Sequence, residues 1–394
     1  MRYKQLLQIA KFRSDRISAE KVNYTNYIST ENMLPNRGGV ENAASLPDTR
    51  ILSKYVAGDI LLSNIRPYFK KIWFANTTGG CSNDILVVRP NGFDAKFLFY
   101  VLSDNNFFNY STVTSKGTKM PRGSKTAIMK YLVPDVDKPI QTRIADILSA
   151  YDDAIENNNH HIALLEKAAR ELYQEWFVRF RFPGYKKTKF VNGLPEGWEV
   201  KQLDDIVNIT SSKRIYLSDY VYDGVPFYRS KEVIQSASGE ALTEPLYISV
   251  DKYNELKDRF GVPCENDILI TSVGTIGISF LVDKRVFYFK DGNLTWLRSG
   301  GKPELALYLF LWLNSDSGKG ALLSSTIGTS QSALTIENLK RIKLIHPNST
   351  TLSAFHRIVM PFIEQKRILQ SQSQNLARQR DLLLPRLMNG KLEV

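Results

Sequence analysis

The sequence predicts an α+β fold made twice over: two mixed, strand-rich domains in a pseudo-two-fold repeat, each followed by a long α-helix, the two helices pairing as an antiparallel coiled coil. Three observations predict it. The chain has 394 residues, more than one core usually supports. Short segments of the first half recur in the same order in the second, and a repeat decides the fold before any local feature does. Each half ends in a helical stretch with a seven-residue apolar stripe.

The repeat is legible along the whole chain. Tyr3-Lys4-Gln5-Leu6 with Ile9 mirrors Val200-Lys201-Gln202-Leu203 with Ile206, and Tyr27-Ile28-Ser29-Thr30-Glu31 mirrors Tyr228-Arg229-Ser230-Lys231-Glu232. Asp59-Ile60-Leu61-Leu62-Ser63 mirrors Asp267-Ile268-Leu269-Ile270-Thr271. At the helix ends a shift of 211 residues puts Leu383 on Leu172 and Leu387 on Trp176, whereas a shift of 210 aligns Arg170-Glu171-Leu172 with Arg380-Asp381-Leu382, so the register is open by one.

The elements follow in order. Residues 1–136 form the first strand-rich domain, with apolar runs at Ile60-Leu61-Leu62, Ile72-Trp73-Phe74 and Ile85-Leu86-Val87-Val88 between Gly, Asn and Pro, and a short helix around Phe97 to Leu102. Residues 137–182 are the first long helical region, opened by Pro139 and stopped by Phe182-Pro183-Gly184. A linker at 183–198 closes on Leu194-Pro195-Glu196-Gly197-Trp198. Residues 199–347 repeat the stranded pattern, with a comparable helix from Leu305 to Trp312. Residues 348–394 are the second helical region, expected to end at Pro385 and Gly390.

The helices carry the architecture. In the first, Leu148, Tyr151, Ile155, Asn158, Ile162, Leu165, Ala169, Leu172 and Trp176 alternate spacings of three and four, the seam of a coiled coil, and Asn158 within it fixes register at a cost in stability. In the second, Phe362, Leu369, Leu376 and Leu383 recur every seven residues, with polar Gln365, Gln372 and Gln379 between, so the stripe is narrow and suits one partner helix. A helix over 139–180 would be on the order of 60 Å long. Half-sites one DNA turn apart are about 34 Å from centre to centre. Such a pair of helices could therefore act as a ruler holding two readers over one duplex, and because the two domains differ in sequence, the site should be bipartite and not palindromic.

Composition narrows the partners. A net charge of +12 points to a polyanion, with nucleic acid the leading candidate over a mere solubilising excess of lysine. Residues 1–130 hold 19 Lys/Arg against 9 Asp/Glu, while residues 191–350 hold 17 against 19, so the second domain would need a locally basic face. No apolar run reaches the length that spans a bilayer and Met1-Arg2-Tyr3-Lys4-Gln5 lacks the core of a signal peptide, so no membrane is expected and a cytoplasmic location is. Two cysteines, Cys81 and Cys264, encode neither a disulfide framework nor a zinc module and read as buried, reduced thiols.

At this point the chain resembles the specificity subunit of type I restriction-modification systems along essentially its whole length. The resemblance rests on Leu194-Pro195-Glu196-Gly197-Trp198, on Asn266-Asp267-Ile268-Leu269-Ile270-Thr271 followed by Gly274-Thr275-Ile276-Gly277, and on Gln141-Thr142-Arg143-Ile144-Ala145-Asp146-Ile147-Leu148. It rests also on Glu171-Leu172-Tyr173-Gln174-Glu175-Trp176-Phe177 and on Arg380-Asp381-Leu382-Leu383-Leu384-Pro385-Arg386-Leu387-Met388-Asn389-Gly390-Lys391-Leu392. One departure is that Met1 opens the first domain without a Pro-x-Gly-Trp segment. The resemblance implies a subunit without catalytic activity, whose two target-recognition domains each read one half of a bipartite asymmetric DNA site. Its implied partners are double-stranded DNA, two methyltransferase (modification) subunits docked on the helices and, optionally, endonuclease (restriction) subunits. Other readings of the same residues are an orphan or decoy subunit and a stand-alone bipartite DNA-binding regulator.

The residues fit a role without catalysis, cofactor or metal. A DNA adenine methyltransferase needs a Gly-rich cofactor loop and an (Asn/Asp)-Pro-Pro-aromatic motif, and the chain has no Pro-Pro pair. Gly123-Ser124-Lys125-Thr126 departs from a P-loop because Ser124 separates glycine from lysine. Pro195-Glu196 with Glu199-Val200-Lys201 opens a domain and makes a poor nuclease site, and His160, His161, His346 and His356 lack ligand spacing.

The candidate DNA-binding residues lie in polar loops. In the first domain they are Lys116, Lys119, Arg122 and Lys125 of the loop 114–125, with Arg66, Lys70 and Lys71 upstream. In the second they are Thr329, Ser330 and Gln331 of the corresponding loop, which has no cation, with Lys213, Arg214, Arg229 and Lys231. Such side chains present donors and acceptors to phosphates or base edges. A solvated loop or an isolated surface cation is the alternative for each.

Overall fold

The computed structural model describes residues 2–327 and 333–388, which fall into two compact units, residues 1–155 with 375–394 and residues 156–374.

In the first unit, Ala10–Phe12, Ile85–Pro90, Ile60–Ser63 and Ile72–Phe74 form a four-stranded antiparallel sheet in that order. Ile60, Leu62, Leu86 and Val88 alternate toward a core shared with the helices Ala95–Ser103 and Asn105–Val113, while Leu61, Ile85 and Val87 face a second cluster with Tyr55 and Cys81. Burial on both faces is why these strands read as continuous apolar runs and not as alternation. A second sheet orders Arg16–Ser18, Ile51–Tyr55, Gly79–Cys81 and Tyr27–Ile28, with the last pair parallel. Arg2–Gln5 pairs with Leu132–Asp135, which hands the chain to the first long helix.

The second unit repeats this plan. Asn208–Thr210, Leu294–Arg298, Ile268–Thr271 and Ser279–Leu281 form the matching antiparallel sheet, and Glu199–Gln202 pairs with Lys343–His346 ahead of the second long helix. The other sheet orders Tyr220–Val221, Leu246–Ile248, Val225–Tyr228 and Tyr288–Phe289. It keeps the closing parallel pair but swaps its two strands: the third position is taken by the earlier strand Val225–Tyr228, where the first unit places the later strand Gly79–Cys81. The swap accompanies the insertion of two helices, Ser230–Ser238 and Val250–Phe260, where the first unit has mainly loop.

The first long helix runs Lys138–Tyr173 and ends in a π-helical turn, Gln174–Val178. The second runs Ser349–Met388 without stopping at Pro385. That corrects the expected terminus: proline removes one hydrogen bond near the end of a helix, and Leu384, Leu387 and Met388, all buried in the first unit, hold the last turn in place. Gly390 lies outside the described residues.

The helices are antiparallel in each unit. In the first, Ile144, Ala145 and Leu148 share a core with Leu384, Leu387 and Met388, and Arg380 of the second helix binds Asp152 of the first, which also accepts from Tyr100 Oη at 2.5 Å. In the second, Ala169, Tyr173, Trp176 and Phe177 share a core with Leu352, Phe355, Val359 and Ile363, while Asn158 Nδ2 donates to Ser373 Oγ at 3.3 Å and Lys366 pairs with Glu166 at 2.6 Å. As the first helix advances from 158 to 166 the partner falls from 373 to 366. Buried Ile144 and Leu148 correspond to buried Phe355 and Val359, and buried Tyr173, Trp176 and Phe177 to Leu384, Leu387 and Met388, which settles the repeat at 211.

Within the expected seam, Leu148, Asn158 and Leu369 are buried, whereas Tyr151, Ile155, Ile162, Leu165, Leu172, Phe362, Leu376 and Leu383 are half-buried. Leu172 and Phe362 pack at the edge of the second unit's core and Leu383 at the edge of the first unit's, and the deepest burial lies at the helix ends, where a stranded domain adds a second wall.

Candidate nucleic-acid interface

In the first unit the loop 114–125 is built as a hairpin. Lys116 and Arg122 exchange backbone hydrogen bonds at 2.9 Å in both directions, and Gly117, at φ 92°, turns the chain. Lys116, Lys119, Arg122 and Lys125 are all exposed. The hairpin is anchored on the end of the central strand: Arg66 N donates to Pro121 O at 2.8 Å and Gly123 N to Asn64 O at 2.9 Å. A side chain at Gly123 would meet Asn64 Oδ1 at 2.9 Å, so glycine lets the hairpin sit close without displacing Asn64.

The structure therefore brings Arg66 to the base of the cationic hairpin, with Lys70 and Lys71 following the turn Pro67–Phe69. Their freedom differs. Arg122 is paired at 3.2 Å with Asp84 but remains over half exposed. Lys70 donates to Asn105 Oδ1 at 2.8 Å. Lys71 donates to Thr30 O at 2.6 Å, and burial lowers its pKa, so it reads as part of the scaffold. Arg66 Nε is buried without a partner, and so is Asn64 Oδ1 beside it.

Three residues of this region were not singled out from sequence. Arg37 sits on the same turn, its backbone N donating to Lys70 O at 2.9 Å and its guanidinium reaching Asn105 at 2.6 Å and Asp381 at 3.1 Å. Tyr68 and Phe69 stand exposed at 47% and 39%. A Pro-Tyr-Phe run reads as core until the fold shows it in a turn.

The second unit carries the corresponding hairpin on the corresponding strand: Thr326–Ile327 pairs with Ala333–Leu334, and Val273 bridges Ala333 as Ile65 bridges Arg122. Thr329, Ser330 and Gln331, which fall between these two strands in the sequence, lie outside the described residues. The remaining candidates are spread over other elements. Exposed Lys213 rests on the Phe260 ring at 4.7 Å and Arg214 binds Asp291 at 3.1 Å. Lys231 is exposed on the helix Ser230–Ser238. Arg229 is held by Glu232, which is fully buried and accepts from Arg229 Nη2 at 2.6 Å, Nε at 3.1 Å and backbone N at 2.8 Å. Burial opposes ionisation of Glu232, but these three donors outweigh it and hold its pKa below the usual value. Arg229 thus neutralises a buried carboxylate.

Among the described residues no group of His, Cys, Asp and Glu could hold a metal ion, and no helix is long and apolar enough to cross a membrane. Cys81 is buried and its thiol is pushed up to about 12, so it is no nucleophile at neutral pH; Cys264, expected to be buried as well, is exposed, because it lies in the loop between Val250–Phe260 and Ile268–Thr271.

Two copies of one strand-hairpin-helix plan are also what known proteins contain. A family model for the type I restriction modification DNA specificity domain matches residues 1–167 and again residues 195–379. The chain belongs to this family of type I specificity subunits. It is 28% identical over 320 residues to the type I restriction enzyme MjaIX specificity subunit of Methanocaldococcus jannaschii, covering 78% of this chain and 71% of that one. It is 23% identical over 438 residues to the HindI specificity subunit of Haemophilus influenzae, covering 93% and 94%. The crystal structure of a type I restriction-modification S subunit from M. genitalium shares the fold, with a TM-score of 0.60 over 98% of this chain and 96% of that one at 16% identity. In this specificity subunit the paired segments Lys116 with Arg122 and Thr326–Ile327 with Ala333–Leu334 lie at corresponding places in the two matched regions.

Proposed function

We propose that this specificity subunit reads a bipartite, asymmetric DNA sequence for a type I restriction-modification complex and has no catalytic activity of its own. Residues 1–136 and 199–347 act as the two target-recognition domains, one per half-site, and the helical regions 137–182 and 348–394, joined to the second domain through the linker 183–198, set the spacing and dock two methyltransferase subunits. Endonuclease subunits join the same complex, which works in the cytoplasm. One observation carries the reading: both units hang a hairpin from the end of the same central strand, at Ile65–Arg122 and at Val273–Ala333, yet the first hairpin is cationic and the second is Ser/Thr/Gln-rich. A shared scaffold with different side chains is what two readers of different half-sites require. The cations Lys116, Lys119, Arg122 and Lys125 supply phosphate and base contacts, and Arg66 and Lys70 flank them.

The test is to co-express the chain with a methyltransferase subunit of this class and map methylated bases by single-molecule sequencing. Methylation at a two-part motif with unlike halves is expected. Turnover of S-adenosylmethionine by the chain alone, or assembly without sequence-dependent methylation, would remove the proposal, the second outcome in favour of a decoy subunit.

A further inference from the structure

Four residues other than glycine adopt left-handed backbone in two loops of the first unit: Asn36, Arg37, Arg66 and Lys70, with φ between 49° and 63°. The loops lock together, since Asn36 N donates to Phe69 O at 2.8 Å and Arg37 N to Lys70 O at 2.9 Å. Strained backbone is kept where the surroundings over-determine it and it serves a purpose. What it does here is hold two large aromatic side chains outward. Tyr68 and Phe69 pack on each other at 4.8 Å between ring centres and 60° between planes, with the Arg66 and Lys71 cations about the Phe69 ring at 5.9 and 6.0 Å. Val113, 85% exposed, shares a shallow groove with Tyr68. An exposed aromatic pair flanked by Arg66, whose backbone N joins it to the cationic hairpin, complements a polyanion with ring faces inside it, which is to say a DNA duplex.

The second unit lacks the device. Its equivalent segment runs Ser272-Val273-Gly274-Thr275-Ile276-Gly277, without an aromatic or a cation, and Ile276 packs against the core. We propose that Tyr68 and Phe69 are a wedge that enters the groove of the first half-site and unstacks one base step, so that this half-site is read partly through its deformability and the other is not. The proposal rests on the DNA-reading assignment above. Apolar side chains inserted between base steps kink DNA, and pyrimidine–purine steps yield most easily, so the first half-site should tolerate substitutions at that step according to flexibility and not according to base-edge pattern.

The experiment uses the assembled complex with its methyltransferase subunits and duplexes carrying 2-aminopurine at positions of both half-sites other than the methylated adenines and their neighbours, which base flipping itself unstacks. Emission is expected to rise at a single step of the first half-site only. The double variant Tyr68→Ala/Phe69→Ala should abolish the rise and weaken binding by roughly fivefold or more, the loss expected of one base–aromatic stack. Both side chains are well exposed, and the wild-type emission is a readout that does not depend on the variant. A footprint over both half-sites with no emission change in the wild-type complex would overturn the wedge and leave DNA reading intact. No sequence-dependent footprint at all would overturn both. A double variant that keeps DNA binding and emission but fails to hold the methyltransferase subunit would make the patch a protein-docking face and overturn the wedge as well.

Discussion

Arg122 and Arg229 are both arginines of polar segments, and their surroundings assign them different work. Arg229 neutralises a carboxylate with no access to water. Arg229→Ala strands that charge, and breaking such a pair costs about 3–5 kcal/mol when both partners are buried. Because the Arg229 side chain is 36% exposed, about 2 kcal/mol is expected, read as a lower chemical-denaturation midpoint of the second unit. The pair also sets a pH dependence. Glu232 has a depressed pKa in the fold, so its stabilisation is present above the ordinary glutamate range and is lost as pH falls through the folded value. The stability gap between wild type and Glu232→Gln should therefore close on acidification; a gap that widens in acid would mean the wrong sign. Arg122, exposed at the hairpin, should behave oppositely. Replacing Lys116, Lys119 and Arg122 by Ala should leave stability unchanged within about 0.5 kcal/mol, as for most surface positions, and flatten the salt dependence of DNA binding by up to about one unit of slope for each lost phosphate contact. An unchanged slope would mean that these cations touch no phosphate.

The long helices pack hardest at their ends, so the effect of a leucine replacement should depend on position. Leu148 is fully buried with Leu384 and Leu387 nearby in the same core, and Leu148→Ala should cost about 3 kcal/mol. Leu165 and Leu376 are half-buried, and their alanine variants should cost about 1 kcal/mol. Thermal melts compare the three directly, and equal losses would contradict the end-weighted packing. Leu376→Asp is a harsher test of pairing than alanine, because it sets a carboxylate against the apolar seam, at a cost that its partial exposure reduces. The helices, their order and the repeat were legible because period and position survive in sequence. The depth of burial was not, since the stripe Phe362, Leu369, Leu376 and Leu383 marks the face toward one helix, while Leu352, Phe355, Val359 and Ile363 face a whole domain. The swapped sheet strands were not legible either: Tyr27–Ile28 and Val225–Tyr228 carry similar apolar residues, and strand order depends on the loops and helices between them.

At the scale of the molecule, the sequence located the cationic hairpin and missed the turn beneath it. Clustered charge is visible in a string of residues, whereas the outward display of Tyr68 and Phe69 depends on two interlocked loops more than 25 residues apart in sequence. Arg229 shows the converse, a cation in a plausible place that the fold has already spent on Glu232. The central claim is that two domains on one scaffold read two half-sites independently. Single-molecule methylation mapping of the assembled complex, wild type beside the Lys116→Ala/Lys119→Ala/Arg122→Ala variant, tests it most directly. The account predicts a two-part motif in which the variant relaxes one end while the other end and the spacing stay fixed. Equal relaxation at both ends, a changed spacing, or an unaltered motif would contradict it.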